Sequence, residues 1–211
     1  MPTEMDFKII YQNNDLLVID KPAGLNADDF PMRIHRLDKD TSGILLIAKN
    51  DKALKFMQKQ FQDREVGKKY LALTVNNFKN KEGKIENLLG RSPKDRRKQK
   101  VFLPQEPQAA GKRQALTKYK VLQRFENCDL IEAEPLTGRK HQIRAQLAHL
   151  GHPIAGDRLY GFKEQKHSRI LKRHFLHASY LKIKLLNGQF KEFKSELPKD
   201  LELCLKNLNK T

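Results

Sequence analysis

The chain has 211 residues, of which 42 are Lys or Arg and 25 Asp or Glu, giving a formal net charge of +17. An apolar share of 38% beside 32% charged residues is ample for a core and excludes a disordered chain. No run approaches the ~20 apolar residues of a membrane span, and two cysteines are too few for a disulfide framework.

The opening residues lack the apolar stretch and small-residue cleavage site of a secretory signal, so a cytoplasmic protein is expected. Leu16 to Ile19 is a short buried run after an Asn-Asn-Asp turn, and Gly43 to Ala48 (GILLIA) is another; both predict strands. From Asp51 onward, Leu54, Met57 and Phe61 mark an amphipathic helix with Asp51 as its N-cap. Tyr70 to Val75 returns to strand. Leu116 to Phe125 and Cys128 to Glu134 form a strand pair turning near Glu126-Asn127. Ile143, Leu147 and Leu150 mark a second helix, closed by Gly151. Tyr180 to Leu186 alternates Leu181, Ile183 and Leu185 with lysines and runs into Asn187-Gly188, a two-residue hairpin signal. A last helix, with Leu201, Leu205 and Leu208 on one face, begins near Pro198. Hairpin-joined strands with few helices indicate an α+β fold, a largely antiparallel sheet with helices against it. No repeat and no Gly/Ser/Pro linker divides the chain, so a single domain with two lobes is expected.

The positive charge is bunched. Arg91 to Lys100 (RSPKDRRKQK) has six basic residues against one acid, and Lys163 to Arg173 (KEQKHSRILKR) has five against one. Both are expected as basic loops between structured segments. So large an excess on a folded chain favours a polyanion partner, above all nucleic acid.

Two clusters could carry chemistry. Arg33 to Gly43 (RIHRLDKDTSG) crowds ionisable groups into a loop that enters the GILLIA strand, a common placement for active-site residues. The bland alternative is a solvated turn capped by Asp40 or Thr41. Leu136 to Arg144 (LTGRKHQIR) turns into a helix whose N-terminus, with Arg139, Lys140 and Arg144, suits an anion. Its bland alternative is an ordinary basic helix face.

HRLDKDTSGILLIAK at 35–49 resembles the signature loop and strand of the RluA-type pseudouridine synthases. DLLVIDKPAGL at 15–25, KKYLALT at 68–74, PLTGRKHQIRAQLAHLGHPIAGDRLYG at 135–161 and HASYLKI at 177–183 follow in that family's order across nearly the whole chain. The resemblance implies the pseudouridine synthase fold with a basic RNA-binding cleft between two halves of one sheet. It also implies isomerisation of uridine within ribosomal or transfer RNA: the base leaves its N-glycosidic bond, turns, and rejoins the ribose through carbon.

By motif match Asp38 is the essential carboxylate. Cleavage builds oxocarbenium-like charge at the anomeric carbon, where a carboxylate can add or stabilise; alternatively Asp38 removes a proton from the neighbouring sugar carbon. Arg139 matches the family's basic partner, a guanidinium that favours the charged carboxylate. Tyr70 matches the tyrosine that packs on the target base and can serve in late proton removal from C5. Arg36 matches the arginine that fills the gap left by the flipped uridine. His35, Thr41 and Arg144 join the expected substrate-binding set, with Arg96, Arg97 and Lys98 as phosphate contacts. His35 and His141 are also read as holding loop and helix in place.

No cofactor or metal is expected, because His149-x-x-His152 and His174-x-x-His177 have no accompanying Cys or acidic ligands. Only about fourteen residues precede Asp15, so no separate N-terminal RNA-binding domain is expected. The partner is RNA, with no DNA and no membrane, and the protein is expected as a monomer. The rival reading is a non-catalytic RNA-binding or ribosome-assembly protein on the same fold. A third option, a basic DNA-binding protein, finds no helix-turn-helix or zinc signal in the sequence to support it.

Overall fold

The computed structural model describes residues 7–162 and 171–209. The chain divides into two compact units, the first drawn from Met1–Tyr70 with His177–Pro198 and the second from Leu71–Leu176 with Lys199–Thr211. Strands and helices are mixed throughout, and the α+β expectation holds.

In the first unit the strands run in the order β1 (Lys8–Gln12), β2 (Leu16–Lys21), β3 (Ser42–Ala48), β9 (Leu176–Lys184), then the start of β4 (Gly67–Val75). β10 (Phe190–Lys194) pairs with β9 beyond the end of β3. β1 with β2, β2 with β3 and β9 with β10 pair antiparallel, whereas β3 pairs with β9 in parallel. GILLIA is continuous in apolar residues because both its faces are covered. Ile44 and Leu46 face Ala53 and Met57 of helix α1 (Asp51–Gln62), together with Leu181 and Ile183. Leu45 and Ile47 face Ala27, Phe30 and Leu37 from the loop that leads to β3.

The N-cap of α1 is Asn50, whose side chain accepts from Ala53 N at 2.9 Å. Asp51, expected in that role, is the first helical residue, where its charge favours the helix dipole. The β9–β10 connection is also longer than the sequence suggests. Lys184 pairs with Phe190, Leu185 N donates to Gln189 O, and Gly188 takes φ +85. A three-residue loop ending in a left-handed glycine therefore replaces the two-residue turn.

The second unit orders its strands as the end of β4, β8 (Cys128–Pro135), β7 (Arg113–Phe125), β5 (Glu82–Arg91) and β6 (Gln99–Phe102). β7 and β8 meet at Phe125 and Cys128 around the expected Glu126-Asn127 turn. Helix α2 (Gln142–His149) packs Ala145 with Leu89, Val101 and Ala115. It ends at Gly151, with φ +81, as expected. Helix α3 (Lys199–Lys206) buries Leu201 and Cys204.

Candidate active site

The loop bearing Asp38 is fastened from three sides within the first unit. Lys21, the last residue of β2, is completely buried, and its ammonium donates to the carbonyls of Pro22 (2.8 Å), Leu25 (2.9 Å) and Lys39 (3.0 Å). Gly24 N donates to the same Lys39 carbonyl at 2.9 Å, from a φ of +91 that favours glycine. Leu37 is buried beside Ile19, Phe30 and Leu45, which turns the next residue, Asp38, to a half-buried position. Thr41 N closes a turn on the Asp38 carbonyl at 3.0 Å, and the Thr41 side chain is buried in the loop's support.

Beyond the turn, Ser42 Oγ lies 3.0 Å from His177 Nδ1, and His177 Nε2 lies 3.2 Å from Ser195 O. With Nε2 donating to that carbonyl, Nδ1 accepts the serine hydroxyl. Gly43 follows at φ +113, where an added Cβ would lie 2.3 Å from Ala178 O. The Thr-Ser-Gly of the motif is therefore a docking seam between β3 and β9.

Around this loop the first unit gathers four further expected site residues besides Thr41's neighbour Asp38: Arg36, His35, Thr41 itself and Tyr70. Arg36 is exposed on the loop. Tyr70 packs against the cluster of Ile19, Leu37 and Leu45. Burial, and then the charge of Asp38, push its phenol above the ordinary 10.0, so the hydroxyl stays protonated at neutral pH. His35 turns away from solvent: its ring stacks on Phe61 at 4.8 Å and its Nε2 accepts from Leu46 N at 3.2 Å. Burial and the Lys68 charge lower its pKa to about 3, against a raising backbone hydrogen bond at Arg36. A neutral imidazole used in this way holds the loop to β3. The acidic Asp28 beside this region is paired with Arg33 at 2.6 Å.

In the second unit, the turn into α2 is organised by Gln142. Its Oε1 accepts from Thr137 Oγ1 (2.8 Å) and Arg139 N (3.0 Å), and its Nε2 donates to Leu116 O (3.0 Å) and Thr117 Oγ1 (2.9 Å). One turn later Gln146 donates to Ile85 O, Asn87 Oδ1 and Ala115 O and accepts from Thr117 Oγ1 at 2.6 Å. Two buried glutamines thus stitch α2 to β5 and β7. Arg139, half-buried, has its backbone fixed by Gln142 and donates from Nε to Gln114 O at 3.1 Å. His141, at φ +54, precedes the helix and lies 3.0 Å from Tyr160 Oη.

Arg144 is placed differently from the expectation of a substrate contact. Only 7% exposed, it forms two bonds to Asp157, at 2.7 and 3.0 Å, beneath the Tyr160 ring. Burial raises the Asp157 pKa, but the Arg144 bonds and charge, with His174 and the Tyr160 amide, bring it below the ordinary carboxylate value. The guanidinium is thereby committed to holding the Asp157–Tyr160 turn.

The segment Arg91 to Lys100 is the β5–β6 hairpin connection, its ends already in strand. Arg96 is exposed, Arg97 is paired with Asp95 at 2.9 Å, and Lys98 stands 5.9 Å from the Tyr160 ring centre. Gln99 N donates to Tyr160 Oη at 2.6 Å, so one tyrosine joins the hairpin to the start of α2. Of the second basic segment, residues 163–170 lie outside the described residues, and Arg173 bonds Asp200 at 2.7 and 3.1 Å. His152 stacks on Phe78 at 4.0 Å. Among the described residues no group of three or more His, Cys, Asp or Glu is placed to hold a metal ion.

Lys21, Gln142, Gln146, Asp157 and Tyr160 were not singled out by sequence reasoning. All five stand inside the quoted motif blocks at 15–25 and 135–161. That was the available signal.

A family model described as RNA pseudouridylate synthase matches residues 26–149, a span that includes Asp38, Tyr70 and Arg139. Ribosomal large subunit pseudouridine synthase D of Borreliella burgdorferi is 33% identical over 239 residues, covering 100% of this chain and 71% of that protein. The protein of the same name from Zymomonas mobilis is 31% identical over 241 residues, covering 98% and 74%. Among solved structures, human RNA pseudouridylate synthase domain containing 1 superposes with a TM-score of 0.84 at 28% identity, covering 98% of this chain and 89% of that one. With its motif blocks, its fold and these relatives in agreement, the chain belongs to the RNA pseudouridine synthases, isomerases of the RluA type.

Proposed function

We propose that this chain converts uridines of large-subunit ribosomal RNA to pseudouridine, with Asp38 as the catalytic carboxylate. The residue assignment is carried by the motif match, and what supports it is the placement of Asp38 on a loop pinned by the Lys21 bond to Lys39 O and by the Ser42–His177 contact, with Tyr70 packed on the Leu37 cluster beneath it. The substrate assignment rests on the relatives named for the large ribosomal subunit.

Asp38 meets the anomeric carbon as charge develops there, and one carboxylate suffices because the freed base recombines and no water need be activated. Arg139 is its cationic partner, an assignment carried by the motif match. A phenol held protonated is a poor base at neutral pH, so we assign Tyr70 to packing against the target base. Arg36, exposed on the same loop, enters the space vacated by the flipped uridine and recovers part of the few kcal/mol of lost stacking. Arg96, Arg97 and Lys98 contribute phosphate contacts.

The reading includes a monomer in the cytoplasm. No helix among the described residues is long and apolar enough to cross a membrane. Cys128 and Cys204 are free, buried thiols, and burial above all raises their pKa to about 12 and about 11.

Asp38→Asn is expected to bind ribosomal RNA like wild type and to form no pseudouridine when the modified sites are mapped. Isomerisation by the variant near the wild-type rate would sink the assignment of Asp38. Pseudouridines lost only from transfer RNA when the protein is removed from cells would replace the substrate.

A further inference from the structure

The outer face of the β9–β10 ribbon carries a pattern that the catalytic assignment leaves unused. Leu181 and Ile183 point into the core under α1, so Tyr180, Lys182 and Lys184 emerge on the opposite face. The register sets them across from Lys194, Glu192 and Phe190. From β4, the Lys69 ammonium lies 5.8 Å from the Tyr180 ring centre, and Lys182 lies 5.6 Å from that of Phe190. Gly67 keeps the neighbouring strand low: an added Cβ there would meet Lys182 Cβ at 3.3 Å and Tyr180 Cε1 at 3.7 Å.

Four ammonium groups, from Lys69, Lys182, Lys184 and Lys194, thus share one sheet face with one carboxylate, Glu192, which bonds Lys182 at 3.2 Å. Phe190 is 64% exposed, more than any other large apolar residue among those described. An aromatic ring left in water among ammonium groups contributes little to the fold but offers a π-face to a ligand.

We propose that this face binds single-stranded RNA running on from the target uridine, with bases stacking on Phe190 and Tyr180 and phosphates held by the lysines. This rests on RNA being the substrate. Charge selects the partner, because the net positive face complements a phosphate backbone. A second copy of the chain placed face to face would set the same lysines against each other. The aromatic rings select the strand state: any unpaired base can stack on them, whereas a duplex keeps its bases inside and would use only the lysines.

The test uses the full chain, with binding read by fluorescence anisotropy on a labelled uridine homopolymer of about 20 nucleotides and on a duplex of similar length. Phe190→Ala is expected to weaken binding of the homopolymer about tenfold, the size of one lost stacking contact, and to leave duplex binding nearly unchanged. With Lys182 already bonded to Glu192, Lys182→Ala, Lys184→Ala and Lys194→Ala together should flatten the dependence of log Kd on log salt by about 1.4, at roughly 0.7 for each of two lost contacts to a single strand. Both variants should retain wild-type kcat at saturating RNA. An unchanged affinity and salt slope overturns the proposal. So does an equal loss on duplex for Phe190→Ala, or a wild-type dimer that Phe190→Ala dissociates while RNA binding persists. Because binding is read directly, a wild type that binds RNA without isomerising it defeats the proposed activity and leaves this surface standing.

Discussion

A lysine with no exposed surface is tolerable only when its ammonium donors find acceptors, and the Lys21 ammonium donates to three carbonyls, of Pro22, Leu25 and Lys39, on both sides of Asp38. Lys21→Met keeps the bulk and removes the donors. Water can reach some of the released carbonyls, so the expected loss of stability is about 2 kcal/mol, read by urea unfolding. The larger effect is expected on kcat, with RNA affinity retained, since the loop that loosens is the one carrying Asp38; unaltered kcat would show that the staple does not position the carboxylate. His35 makes a different prediction. Its folded pKa of about 3 lies below the ordinary 6.5, so between those values the unfolded chain binds a proton that the folded chain refuses. Stability from this group is therefore complete above about pH 6.5 and is lost as the pH falls towards 3. His35→Gln, which keeps an acceptor for Leu46 N but does not titrate, should flatten the acid side of a stability–pH curve. A curve as steep as that of wild type would remove His35 from the balance.

At the scale of elements, what the sequence reveals depends on how local the cause is. β3 is legible because two covered faces demand an unbroken apolar run, and the β7–β8 and β9–β10 hairpins are legible from alternation and turn residues. β5 and β6 escape notice for the opposite reason. Ile85, Asn87 and Leu89 alternate inward, but charged neighbours and a buried asparagine blur the pattern, and β6 begins inside a basic run. The Asp38 cluster could be found from its motif, whereas its supports could not. Lys21 reads as a surface residue until the carbonyl of Lys39 is seen to lie upon it, and Gln142 until Thr117 and Thr137 are. The β5–β6 hairpin also changes a quantitative expectation. Arg97 is already bonded to Asp95, so neutralising Arg96, Arg97 and Lys98 removes three charges but closer to two phosphate contacts than three. On structured RNA the salt slope should then fall by roughly 2, at about 0.9 per contact. An unchanged slope would place the hairpin off the RNA.

At the scale of the whole molecule, the excess of +17 is spread over surfaces with separate duties, and its sum conceals them. Some cations are internal: Lys21 and Arg144 are buried and bound within the fold. Others stand on the hairpin and on the β9–β10 face. The chain also reaches its two units out of order, since the first is completed only by His177–Pro198. This has a consequence in time. Ser42 and His177 are 135 residues apart, and a ribosome adding about 5–20 residues per second needs roughly seven to thirty seconds to cover that distance. During that interval the nascent chain already displays its Asp38 motif but lacks the strand against which β3 docks. The seam that supports the Asp38 loop therefore forms only when synthesis of the chain is almost finished.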